Sequence, residues 1–267
     1  MNRIDQTFAR LRASGRRALI AYITAGDPSL AVTEELVAEI ARSGADMIEI
    51  GVPFSDPVAD GPVIQAASTR ALKNGVTFAE VLTLAGKLQG IVEIPLLVMT
   101  YYNPILAYGI SRFVEDASKN GIAGVIVPDL PLEESEKLSQ ALAASGIHFI
   151  HLLAPTSSTE RINDTVERSS GFIYCVSVSG VTGARDSFPG AGKKLLGQVG
   201  ALTNLPLALG FGISSPEQVA DLDKQGDAVI IGSAIVKLVE EGGSTEEILG
   251  RVGTFLKSFG EAGSLIK

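Results

Sequence analysis

One carboxylate interrupts an otherwise apolar run, Glu49 in MIEIGV at 47–52. A carboxyl group in that position either faces an open mouth or lies buried, and burying it as an unpaired charge costs on the order of several kcal/mol. Two readings follow. It is a structural acid bonded to a tyrosine hydroxyl or a backbone amide, or an acid/base group whose proton affinity burial raises towards neutrality. The next segment, PFSDPVADGP at 53–62, adds Asp56 and Asp60. Each also fits an ordinary turn aspartate, and Asp60, just ahead of Gly61-Pro62, also fits a helix N-cap. The sharper expectation is a divided pair, with Glu49 on a rigid strand and one aspartate on the loop that follows.

A second constellation suits an anion. LGFGIS at 209–214 and IIGSAI at 230–235 each end an apolar run in glycines, and Gly232-Ser233 opens a helical pattern, AIVKLVEE. Unpaired N–H groups at the amino end of such a helix, with the positive end of its dipole, form a phosphate seat. Gly212, Gly232 and Ser233 would line that seat, and Gly183, in a long Gly/Ser-rich loop, would close over it. Glycines in such loops are also ordinary turn residues, so the pairing of the two segments carries more weight than either alone. Tyr22, Met99, Ile126, Leu152, Tyr174 and Phe211 fall at comparable strand ends. An apolar lining with a few polar tips suits a flat aromatic ring.

Other chemistries lack their parts. No lysine lies inside a strand pattern, so Schiff-base chemistry has no nucleophile. His148 and His151 flank Phe149-Ile150 with opposite parity and no matching Cys/His/Asp cluster, which leaves no metal-ligand spacing. His151 reads as a polar neighbour of the site. Cys175, the single cysteine, sits in FIYCVSV and reads as a small core residue. No cofactor fingerprint or nucleophile elbow is present. Metal-free, cofactor-free acid/base chemistry on a phosphorylated molecule is what remains.

The elements that must hold these groups repeat along the chain: an amphipathic stretch, a glycine, then an apolar run. The glycines are Gly44, Gly121, Gly146, Gly171 and Gly226, with Gly121, Gly146 and Gly171 spaced 25 apart. A glycine just past a helix takes the left-handed conformation without a Cβ clash. The apolar runs are continuous rather than alternating, as in parallel strands covered on both faces. With 18–24, 94–100 and 205–211 added, eight strands result. Asp27-Pro28, Asp129-Leu130-Pro131 and Ser215-Pro216-Glu217 read as N-cap and first-turn signals for helices. The fold class expected is α/β, a single (β/α)8 barrel over 1–267, with an extra N-terminal helix and a short phosphate-binding helix after the eighth strand. A doubly wound sheet is the alternative. In a barrel, function sits in the loops after the strands, and the two long ones, 53–61 and 179–192, are suited to be lids.

A net charge of −8 argues against nucleic acid, which requires a basic face. No stretch reaches the ~18 apolar residues of a membrane span, and MNRIDQTFARLRASGRR at the start holds no apolar signal core. A cytoplasmic or plastid-stroma-type compartment is the expectation.

The segments IEIGVPFSDPVADGPVIQ (48–65), MTYYNPIL (99–106), VPDLPLEES (127–135), SGVTGAR (179–185) and GFGIS (210–214) together resemble the tryptophan synthase alpha family, in order and over nearly the whole chain. The resemblance implies retro-aldol cleavage of indole-3-glycerol phosphate to indole and glyceraldehyde 3-phosphate. By that resemblance Glu49 and Asp60 are catalytic, and Gly183, Gly212, Gly232 and Ser233 bind phosphate. Tyr174, Thr182 and Phe211 line the substrate site and its closing loop. It also implies a beta subunit carrying pyridoxal phosphate in an alpha2-beta2 assembly, no cofactor on this chain, and a partner face including Asp56, Pro57, Asn103 and Pro131. Val178 departs from relatives that carry a basic residue there, which puts lid coupling in question rather than the chemistry. Two other readings stay open: a sugar-phosphate isomerase or epimerase, which the apolar mouth disfavours, and a regulatory barrel that binds a phosphate ester without catalysis.

Overall fold

The computed structural model describes residues 1–176, 189–210, 212–220, 222 and 225–261. Its strands are β1 (Ala18–Thr24), β2 (Met47–Gly51), β3 (Leu96–Met99), β4 (Ile122–Ile126), β5 (His148–Ile150), β6 (Leu152–Leu153), β7 (Ile173–Val176), β8 (Leu207–Gly210) and β9 (Ala228–Ile231). All pairings among them are parallel, in the order β5-β4-β3-β2-β1-β9-β8-β7-β6. β5 and β6 are two halves of one stave, parted at His151. The first half pairs with β4 and the second with β7, so the sheet closes into an eight-stave (β/α)8 barrel.

Side-chain parity separates two cores. One face of the staves packs with the surrounding helices in a cluster that includes Leu19, Ile48, Ile50, Val98, Val125, Ile173, Cys175 and Val229. The opposite face fills the interior with Ile20, Tyr22, Met47, Leu97, Met99, Ile126, Tyr174, Ala208 and Ile230. Ile4, Phe8 and Leu11 of helix Arg3–Ala13 join the interior cluster and plug one end. Asn2 fastens this helix by donating to the carbonyls of Ala123 and Gly146.

All five rhythm glycines adopt positive φ, between 66° at Gly121 and 100° at Gly44. Gly44, Gly121 and Gly146 come directly after a helix cap, whereas Gly171 and Gly226 lie further past a helix and closer to the strand that follows. The helix-start signals fared unevenly. Ser29, rather than Asp27, caps helix Leu30–Arg42 by accepting from the Val32 N–H. Asp27 is instead buried, its carboxylate taken by Arg70. Asp129 accepts from the Tyr102 N–H at the start of helix Tyr102–Tyr108, while the chain after Pro131 makes only a 3-10 turn, Leu132–Glu134, before helix Glu136–Ala144. In both cases a long-range partner outcompetes the local amide. Pro216 does open helix Pro216–Ala220. The second long loop is shorter than expected, because 189–192 belong to helix Pro189–Gly200.

Candidate active site

Glu49 shares its parity with Met47, an interior residue, while Ile48 and Ile50 face the helices. The carboxyl group therefore points into the barrel, level with Tyr22 and Leu97, its partners in register on β1 and β3. It is 1% exposed, and neither carboxyl oxygen has a hydrogen-bond partner among the described residues. The structural reading required a hydroxyl or an amide, and the described residues offer none. Burial, and next the charge of Asp60, raise its pKa to about 8.

Asp60 ends the loop after β2. The cap of helix Pro62–Lys73 is Gly61, with no side-chain cap bond, so the carboxylate of Asp60 is not spent on a helix end. Its backbone is fastened by Gln65, which donates to the Asp60 carbonyl at 2.9 Å. The Tyr101 hydroxyl accepts from the Ala59 N–H at 3.0 Å and also bonds the Asp60 side chain. Burial pushes Asp60 up to about 6, opposed by that tyrosine. Near pH 7 the two acids thus divide: Glu49 holds its proton and Asp60 is ionised.

A small cavity of ≈ 30 Å³ joins Asp60, Tyr22, Met99 and Tyr174 to Gly212, Gly232 and Ser233. Gly232 caps helix Ser233–Glu240 without any side-chain cap bond, which leaves its first amides to the cavity. Gly212 has φ of 91°, open only to residues without a Cβ penalty. The two interior tyrosines lie in slots that glycines leave free. A Cβ on Gly51 would come 2.1 Å from the Tyr22 hydroxyl, and one on Gly210 would come 2.5 Å from the Tyr174 ring.

A larger cavity of ≈ 620 Å³ opens beside it, lined by Ala59, Pro128, Leu152 and Val176 among others. Leu152 and Tyr174 are partners in register, so the two cavities are neighbours across one strand pair. Of the ring-lining candidates, Tyr22, Met99 and Tyr174 thus reach the first cavity and Leu152 the second, while Ile126 is fully buried and lines neither. Gly183, Thr182, Val178 and Phe211 lie outside the described residues. His151 faces the helix side, against Phe149, and burial lowers its pKa to about 4, so it sits neutral beside the larger cavity. Sequence reasoning missed Tyr101, Ile64 and the slot glycines. Only the double tyrosine of MTYYNPIL hinted at the first. Asp56, Asn103 and Pro131 are exposed and Pro57 half-buried, with Val58 and Leu106 as exposed apolar neighbours. Among the described residues no group of three His, Cys, Asp or Glu is placed to hold a metal ion, and no helix is long and apolar enough to cross a membrane.

Fold and site together define a (β/α)8 barrel with a neutral carboxyl group on a strand, an ionised one on the loop that follows, and a helix amino end without a side-chain cap on the same cavity as the second. The family model for the tryptophan synthase alpha chain matches residues 8–262. Tryptophan synthase alpha chains from Carboxydothermus hydrogenoformans and Methanosarcina mazei are 49% and 48% identical, over 90% and 96% of this chain and 90% and 93% of theirs. Among solved structures, tryptophan synthase from Mycobacterium tuberculosis superposes with a TM-score of 0.91 at 36% identity, over 100% of this chain and 99% of that one. The tryptophan synthase alpha subunit of Legionella pneumophila gives 0.89 at 36%, over 98% of both. This chain belongs to the tryptophan synthase alpha chain family.

Proposed function

We propose that this chain cleaves indole-3-glycerol phosphate to indole and glyceraldehyde 3-phosphate by general acid/base catalysis. One observation carries the reading: a neutral Glu49 inside the barrel, without a hydrogen-bond partner among the described residues, beside an ionised Asp60 whose cavity reaches Gly232 and Ser233. Glu49 gives its proton to the ring carbon that bears the side chain, leaving a cationic indolenine that the Asp60 carboxylate stabilises at the ring nitrogen. The Glu49 carboxylate then takes the proton of the side-chain hydroxyl. As that oxygen becomes a carbonyl, the carbon–carbon bond breaks and its electron pair neutralises the ring, so indole and the aldehyde leave and Glu49 is again protonated. Gly212, Gly232, Ser233 and Gly183 hold the phosphate. Tyr22, Met99, Leu152, Tyr174, Thr182, Phe211 and, one layer down, Ile126 form the ring's surroundings.

The chain needs no cofactor of its own in this scheme and works in the cytoplasm as one barrel domain. It associates with a beta subunit that carries pyridoxal phosphate, through the face holding Asp56, Pro57, Asn103 and Pro131. Val58 and Leu106 are exposed on the loop and helix of that face, and a partner covering them would take their apolar area out of water.

The test is indole release by purified protein, with and without a beta subunit, with ribulose and triose phosphates as alternative substrates. Glu49→Gln should lower kcat by about 100-fold or more while substrate still binds. Asp60→Asn should lower it as well. Unchanged turnover in Glu49→Gln removes this mechanism.

A further inference from the structure

Arg70 touches no part of the cavity, yet it bonds elements that carry three parts of the site. It lies on helix Pro62–Lys73, the helix that starts two residues after Asp60 and supplies Ile64 to the cavity wall. Its Nε and Nη2 donate to the two oxygens of Asp27, each at 2.8 Å. Asp27 follows β1, the strand bearing Tyr22. The Arg70 Nη1 donates at 2.8 Å to Glu240, the last residue of helix Ser233–Glu240, whose first turn is the proposed anion seat. The two helices also pack on each other.

We propose that Arg70 is a positioning residue that sets the spacing between Asp60 and the phosphate seat, with Glu240 as its working partner. This rests on the proposed reaction. The substrate spans both groups, so an error in their separation is felt at the reacting carbon even when each subsite is intact. An eight-residue helix is about 12 Å long, and a bond at its far end fixes its tilt as well as its position. The two branches differ in kind. Asp27 is 3% exposed, so losing its bidentate pairing would be destabilising, whereas the pair of Arg70 with Glu240, 33% and 45% exposed, contributes little stability. Glu240 also sits at a helix carboxyl end, where its charge is unfavourable unless a cation answers it. Only a planar fork meets both acids at once.

Glu240→Ala and Arg70→Lys separate positioning from stability. In Glu240→Ala, kcat for indole release should fall about three- to tenfold, with the denaturation midpoint and the Kd for inorganic phosphate unchanged. Arg70→Lys keeps a cation for Asp27 but cannot serve both acids, so it should recover most of the stability lost in Arg70→Ala without recovering kcat. Hydrogen exchange gives a readout without substrate. In both variants the amides of Gln65 and Val236, in the first turns of the two helices, should lose protection together. Unaltered kcat with unaltered exchange in Glu240→Ala overturns the proposal, as does full recovery of kcat by lysine. Wild-type protein that releases no indole overturns the reaction, and exchange at those two amides then decides the tie alone.

Discussion

Replacing Glu49 by glutamine should make the folded protein more stable, and increasingly so as pH rises. The cause is the cost of ionising a carboxyl group at 1% exposure with no hydrogen-bond partner among the described residues. Burial raises its pKa from the ordinary 4.5 to about 8. The sign follows from where each state keeps its proton. Below 4.5 both states are protonated and the group contributes no pH dependence. Above that the unfolded chain ionises while the folded protein stays neutral, so wild-type stability falls until about pH 8, where the folded form also ionises and the loss levels off. At about 1.4 kcal/mol per pH unit, wild type loses about 1 kcal/mol from this group at pH 5, about 3 at pH 7 and about 5 at pH 9. Glutamine does not titrate, and its buried amide adds only a pH-independent offset. Asp60 titrates in both proteins and cancels to first order. Urea unfolding of the two proteins from pH 5 to 9 measures the difference, and against a total stability of about 5–15 kcal/mol it is large. Stability curves that run parallel across this range would show that water reaches Glu49, and the assignment of the neutral acid would fall with them.

The same two groups predict a bell-shaped kcat/KM, rising near pH 6 as Asp60 ionises and falling near pH 8 as Glu49 loses its proton; a steady-state profile checks it, and Asp60→Asn should abolish the rising limb. Tyr101→Phe removes the hydroxyl that opposes the rise in the Asp60 pKa, so the rising limb should move to higher pH and kcat should fall as the loop loses the Ala59 tie. Gly51→Ala places a Cβ 2.1 Å from the Tyr22 hydroxyl, which should cost about 1–3 kcal/mol in denaturant unfolding and raise KM by displacing the ring.

The barrel was legible because its signals are local. Continuous apolar runs and left-handed glycines at Gly44, Gly121, Gly146, Gly171 and Gly226 report burial on two faces and helix ends without any knowledge of neighbours. Glu49 was legible for a related reason: a carboxylate at one parity of a buried strand has to be explained by what it faces. What the sequence hid depends on partners far along the chain. Asp27 reads as a cap until Arg70, 43 residues on, claims it, and Asp129 reads as the start of its own helix until Tyr102 does. The slots under Tyr22 and Tyr174 are likewise set by glycines on adjacent strands, which no linear pattern connects. Tyr101 was hidden twice, since its role depends on where the loop holding Ala59 folds back.

The physical difference between the two acids is solvation rather than residue type. Aspartate and glutamate differ by one methylene and by less than one pH unit when free in water. Here the one on the strand is buried and receives no donor from the described residues, while the one on the loop keeps a tyrosine hydroxyl within reach. That contrast spreads them to about 8 and about 6, so a proton donor and a stabilising anion coexist at neutral pH within electrostatic reach of each other. A hydrogen-bond donor for Glu49 would make the barrel more tolerant of alkaline pH and, by the same step, would lower its pKa until it could no longer hold a proton for the ring. The instability predicted for Glu49 at high pH and the acid chemistry proposed for it at neutral pH are therefore two consequences of a single missing bond.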